Sequence, residues 1–180
     1  MKFMEERGVS RWLLIVHVVL LLFLWWIPLQ TFSSLPDQIA IHFDSNGQPD
    51  RFEPKTGMRV WMVPFIGMVL GLGILILALF PGLYDFPQKD EVKRWPEHLR
   101  LPVYALVKEM MLGTLLCVDV IWMLLEYNIV ASARAGHAAL GAAALWTGVL
   151  IPAVIPAVLA VIYIKRITRT VEETKAKASL

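Results

Sequence analysis

Four long apolar runs, Trp12–Leu29, Val60–Phe80, Leu101–Tyr127 and Ala138–Ile164, alternate with shorter polar segments. Of all the Asp, Glu, Lys and Arg residues, these runs hold only Lys108, Glu109, Asp119 and Glu126. About 20 helical residues cross the hydrocarbon of a bilayer, and lipid tolerates no spanning backbone with unpaired N–H and C=O groups other than a helix or a closed barrel. The pattern therefore predicts an all-α integral membrane protein with four transmembrane helices. A different period occupies the segment between the first two runs. From Ile39 to Phe43 large apolar residues alternate with small or polar ones, and Asp44-Ser45-Asn46-Gly47 follows as a turn with Asn46-Gly47 best able to take positive φ. Gln48–Phe52 is expected to return beside that strand, and Pro49 limits it to an edge. The loop is thus read as β-hairpin-like.

Composition agrees: 57% hydrophobic residues, 18% charged and a mean hydropathy of +0.60 exclude an ordinary soluble globule. Twelve Lys and Arg residues flank the spans on one side and four on the other, so the positive-inside rule puts both termini, residues 81–100 and residues 165–180 in the cytoplasm, with residues 30–59 outside. Lys2, Arg7 and Arg11 precede the first run as they would in a secretory signal. At 18 residues, however, it is long for a signal core, and Thr31-Phe32-Ser33 is a weak cleavage site, so it is read as a retained anchor. Trp12, Trp25, Trp26, Trp61 and Tyr127 are expected as interfacial anchors. Gly67, Gly71 and Gly73, and Gly141, Ala144 and Gly148, are spaced for close helix approach, while Pro64, Pro152 and Pro156 are expected to bend their spans. The net charge of +2 is dispersed, which gives nucleic acid no stripe to bind. The single cysteine, Cys117, provides neither a disulfide framework nor a Cys-based zinc site.

Charged groups inside a bilayer need partners. On a helix Lys108, Asp119 and Glu126 fall within about 20° of one another, so they share one face, together with Leu112, Leu115 and Trp122. His17 enters the first span to a depth like that of Lys108 and Glu109, which suggests a His17–Glu109 or His17–backbone contact. Two readings follow. One is a proton or ion path with Asp119 as the deepest titrating group. The other is a set of interhelical contacts that fix packing, worth about 0.6 kcal/mol each. The second and fourth spans offer only Thr147 and Trp146 at mid-depth, which favours packing.

The outer loop carries the most specific text: Leu35-Pro36, Ile39, His42-Phe43, Gly47, Pro49-Asp50 and Lys55, directly after a first membrane helix. Over roughly residues 12–60 this resembles the domain of unknown function at the N-terminus of SdpI-type bacterial membrane immunity proteins. Ala40 stands where that pattern usually has a second proline, and nothing after Phe80 matches the Gly-rich, Arg-Thr-containing second half of those proteins. The resemblance implies a bacterial cell membrane protein and, through the loop, immunity to or sensing of an extracytoplasmic peptide. His42, Phe43, Asp50 and Phe52 are the candidate ligand-binding residues. His42, Asp44 and Asp50 are weak metal candidates, because the loop has neither a calcium-binding twelve-residue pattern nor a His-x-x-x-His pair; no metal or other cofactor is expected. The bland alternative is a compact lid in which Asp44 and Asn46 cap their own turn and Asp50 pairs with Arg51, Lys55 or Arg59.

Catalytic signatures are absent: there is no Gly-x-Ser-x-Gly, phosphate-binding Gly-rich loop or His-Glu-x-x-His. The expected function is therefore a non-enzymatic membrane binding protein. Its partners would be lipid, an extracytoplasmic peptide or another membrane protein, with a second copy of the chain also open. A small proton- or ion-coupled transporter using His17, Lys108, Glu109, Asp119 and Glu126 is the second reading, and a metal-dependent membrane enzyme the third.

Overall fold

The computed structural model describes residues 2–137 and 142–178, with side chains described over 11–137 and 146–177. Lys2, Arg7, Gly141 and Ala144 therefore lie outside the residues described at side-chain level. In chain order the elements are α1 (Lys2–Thr31), β1 (Gln38–Phe43), β2 (Pro49–Pro54), α2 (Gly57–Leu79), the short α3 (Lys89–Val92), α4 (Glu97–Ala135) and α5 (Ala142–Ala178). Four of these helices are long and apolar enough to cross a membrane, so the chain is a multi-pass helical membrane protein. The ends carry ordinary stop and start signals. Thr56 caps α2 by accepting from the Arg59 N–H, and Gly136, at φ 72°, ends α4 while its N–H bonds the Ser132 carbonyl. Both α2 and α5 run unbroken through Pro64, Pro152 and Pro156.

Packing is organised around α4, which lies against α1, α2 and α5, whereas α5 packs chiefly on α4. The arrangement is three helices around a central one, and α5 turns most of its apolar surface outward. Ile151, Val154 and Val158 are each more than half exposed. Gly148 and Gly113 are the contact points: a Cβ at Gly148 would sit 2.9 Å from Leu124, and one at Gly113 would sit 3.3 Å from Leu159.

The α1–α4 register can be read from side chains. Leu13 and Leu14 of α1 and Ala78 of α2 share a cluster with Leu112 and Leu115, while Val60 of α2 and Ile27 of α1 share another with Val130 and Ala133. So α1 and α4 run parallel, and α2 lies along α4 only from about Leu112 to Ala133. The 23 residues of α2 cover about 34 Å, close to a bilayer's hydrocarbon, but the 39 of α4 cover about 58 Å. Residues 97–111 therefore project past the end of α2, as does the C-terminal part of α5.

These projections meet in a small helical foot. Tyr84, Phe86 and Val92 pack with Val103, Leu106 and Val107 of α4 and with Ile167 and Val171 of α5. Tyr84 donates to the Ala78 carbonyl at 2.7 Å, and burial, reinforced by the neighbouring Tyr104, pushes its hydroxyl up to about 12. Lys175 of α5 bonds Glu91 of α3 at 2.9 Å. The segments 81–100 and 165–178, expected only as a loop and a tail, thus share an apolar core.

At the opposite end β1 and β2 form a two-stranded antiparallel hairpin, pairing Gln38 with Pro54, Ala40 with Phe52 and Phe43 with Pro49, with irregularities flanking His42. Gly47 takes positive φ at 78°, as the turn requires, and the Asp44 carboxylate accepts from the Asn46 and Gln48 N–H groups. Pro49 opens β2, where its missing N–H is tolerated.

Candidate functional site

The hairpin has one face fixed to the helices and another open. Leu35 and Ile39, 5% and 2% exposed, pack on Val60, Val130 and Ala133 at the mouth of the helices. Lys55 reaches across to donate to the carbonyls of Phe32 and Leu35, at 3.1 and 2.7 Å, satisfying groups left free where α1 ends. Its ammonium also lies over the Phe32 ring. Trp146 of α5 donates its indole N–H to the Ser45 carbonyl in the turn.

The candidate ligand-binding residues lie on the outer side of this anchored piece. His42 Nδ1 donates to Asp50 Oδ1 at 2.6 Å, and their side chains are 67% and 45% exposed. Phe52 is exposed, as is Ile41, whereas Phe43 is only half-buried beside Pro49. This corrects the expected pairing of Asp50 with Arg51, Lys55 or Arg59. Asp50 meets His42 at the irregularity where His42 pairs with Arg51, Arg51 and Arg59 go to Glu53, and Lys55 is taken up by backbone carbonyls. Asp44 turns inward to its own turn backbone, and among the described residues no three His, Cys, Asp or Glu side chains converge as a metal site would need.

A second constellation lies between the helices. His17 and Asp119 are buried and joined at 2.8 Å, Nδ1 to Oδ2. The expected partner, Glu109, belongs to another level. Counting both residues from the starts of their apolar runs assumed that those runs begin at the same depth, whereas the observed register sets α1 against α4 with an offset of 102 residues. Lys108 and Glu109 lie beyond the end of α2, where Glu109 is buried and accepts from the Tyr163 hydroxyl at 3.5 Å. Glu126, 1% exposed, lies two turns from Asp119 on the same face. Between Glu109 and Asp119 the interior is filled by Leu112 and Leu115, at 1% and 0% exposure. Gly71 makes room for the His17 ring, which a Cβ there would meet at 3.3 Å, and Gly67 makes room for Leu24 and Trp122, which a Cβ there would meet at 3.0 and 3.1 Å. Gly73 has no such neighbour.

Sequence reasoning missed Asn128 and Ser132, buried on another face of α4, and the capping role of Lys55. Their signal was a polar pair one turn apart within an apolar helix, and a lysine immediately before a helix start.

Comparison with known proteins bears on the same segment as the hairpin. No solved structure matches the chain. An uncharacterized protein of Archaeoglobus fulgidus is 27% identical over 92 residues, 51% of this chain, and the match covers 45% of that relative's length. The chain thus spans less than half of the relative it matches. Residues 19–68, from α1 through the hairpin into α2, are similar to a domain of unknown function (DUF1648).

Proposed function

We propose that this chain is a non-enzymatic membrane binding protein whose hairpin, held on the extracytoplasmic side, engages a peptide ligand through His42, Asp50, Phe52 and the neighbouring Phe43. Immunity to that peptide, or sensing of it, in a bacterial cell membrane is the biological reading that the likeness of residues 12–60 to SdpI-type proteins suggests.

The observation that carries the proposal is the exposure of the His42–Asp50 pair on a hairpin whose other face is anchored. An exposed ion pair adds only about 0–1 kcal/mol, so stability does not account for this arrangement. Anchoring by Leu35, Ile39 and Lys55 means that a ligand would meet a preorganised surface and pay little ordering cost. The transport reading finds less support, because buried Leu112 and Leu115 lie along α4 between the His17–Asp119 pair and Glu109.

The test is paired. A deletion strain is challenged with panels of secreted peptides and complemented with wild type, His42→Ala or Asp50→Ala. The same proteins are melted in detergent. The proposal expects sensitivity to at least one peptide, no rescue by either variant, and unchanged melting. Rescue by both variants would remove the hairpin's outer face as the site.

A further inference from the structure

Between α1 and α4, in the half of their seam nearest the hairpin, lies a groove of about 640 Å³ lined by Phe23, Ile27 and Thr31 on one side and Tyr127, Ala131 and Arg134 on the other. Phe23, Ile27 and Thr31 follow at four-residue steps and so form one stripe along α1, about 12 Å long. That is close to the depth of one leaflet, half of a hydrocarbon core of about 30 Å. Buried Val130 forms the floor, and the rims, Phe23 and Tyr127, are 52% and 53% exposed. The groove therefore opens sideways, toward the surface where lipid chains lie.

Its hairpin end is different in kind. Arg134 is exposed in the last turn of α4 and spends one donor on Ser34 Oγ, at 2.8 Å. Among the described residues no carboxylate pairs with it. A guanidinium has five N–H donors in a planar fork suited to phosphate, so most of its capacity faces outward at the head of an apolar slot.

We propose that this groove holds one anionic phospholipid of the leaflet on the hairpin side, with an acyl chain along the Phe23–Ile27 stripe and the phosphate on Arg134. A free phosphate would use Arg134 and leave the slot unfilled. A helix of a second copy would lay apolar side chains into the slot but bring no phosphate to the Arg134 guanidinium. The site is separate from the hairpin's outer face and independent of what that face binds.

The experiment uses the full chain, reconstituted in nanodiscs of equal phosphatidylglycerol and phosphatidylcholine, released into detergent and weighed by native mass spectrometry. Wild type should retain one phosphatidylglycerol in preference to phosphatidylcholine. Arg134→Gln, at an exposed position, should lower that retention about tenfold, as loss of one hydrogen bond to a charged group implies, and abolish the headgroup preference. Ala131→Phe, which fills the slot, should lower retention of both lipids. If that variant does not fold, the Arg134→Gln comparison decides alone. Undiminished phosphatidylglycerol on Arg134→Gln would overturn the proposal. So would displacement of the lipid by glycerol phosphate at equal concentration, which would leave only an anion site, or an added mass equal to a second protein copy in place of lipid.

Discussion

Replacing Asp119 offers the sharpest separation of structure from transport. The carboxylate lies 2.8 Å from His17 and both groups are buried, so Asp119→Leu leaves the imidazole Nδ1 without its partner. An orphaned buried polar group costs about 1–3 kcal/mol, while polar contacts between membrane helices average about 0.6 and reach about 1.7. A loss of about 1.5 kcal/mol is therefore expected. His17→Leu should cost a similar amount, for it strands the carboxylate. The double variant strands neither group, so it should be more stable than the sum of the two single changes predicts, by about 1 kcal/mol. Asp119→Asn keeps a hydrogen-bonding oxygen opposite His17 and should lose less than about 1 kcal/mol. Unfolding by detergent titration measures all four. Strict additivity in the cycle would refute the pairing as a stabilising contact. A well-folded Asp119→Asn protein with no biological activity would refute the packing role and make Asp119 a proton carrier, since an amide has no proton to exchange in the physiological range.

Other outcomes follow from the same geometry. Leu35→Ala or Ile39→Ala should lower stability by about 2–4 kcal/mol, because both side chains are buried under the hairpin, whereas His42→Ala and Asp50→Ala should cost under about 1 kcal/mol by the same melts. Gly67→Val should impair folding, since even a Cβ there meets Leu24 and Trp122 at 3.0 and 3.1 Å; a Gly73→Val protein, with open space around that position, should melt like wild type. Tyr84, with its hydroxyl at about 12 against the ordinary value of 10.0, contributes stability that is complete below pH 10 and is lost as pH rises toward 12; Tyr84→Phe should flatten that alkaline loss in a melting series. Single cysteines at Ser45 and Ala176 in a Cys117→Ala background should label from opposite sides of a sealed vesicle, and labelling from one side would overturn the assigned topology.

The helices were legible because lipid leaves a chain little choice: an apolar run of sufficient length must pair its own backbone. Their ends were not, since the same helical pattern continues where protein takes over from lipid as the cover. Residues 101–111 read as the start of an apolar run, and the apolar Val103, Leu106 and Val107 in it face the foot, where Ile167 and Val171 meet them. The four-residue spacing of Tyr163, Ile167 and Val171 was the available clue. The hairpin was readable from Gly47 and the alternation around Ile39, as local backbone chemistry decides a turn. Which acid His17 meets depends on how far two helices slide past each other, and no local pattern encodes that. Of the three residues placed on one face, Asp119 and Glu126 are buried and Lys108 is only partly so, while the partner of His17 was assigned from equal depth and came out ten residues away from the true one. The Arg134 groove belongs to the same class, because each stripe is visible on its own helix and only their juxtaposition makes a slot.

The 39 residues of α4 join the two ends of the molecule without a break: Val130 and Ala133 support the hairpin at one end, and Val103, Leu106 and Val107 carry the foot at the other. A helix transmits twist and tilt along its length far better than a loop does, because each hydrogen-bonded turn holds the next. The anchoring surfaces at the two ends therefore belong to one mechanical part. A ligand that rocked the hairpin by its attachment to Val130 and Ala133 would turn the same rod that positions Ile167 and Val171 on the far side, with no conformational relay between them.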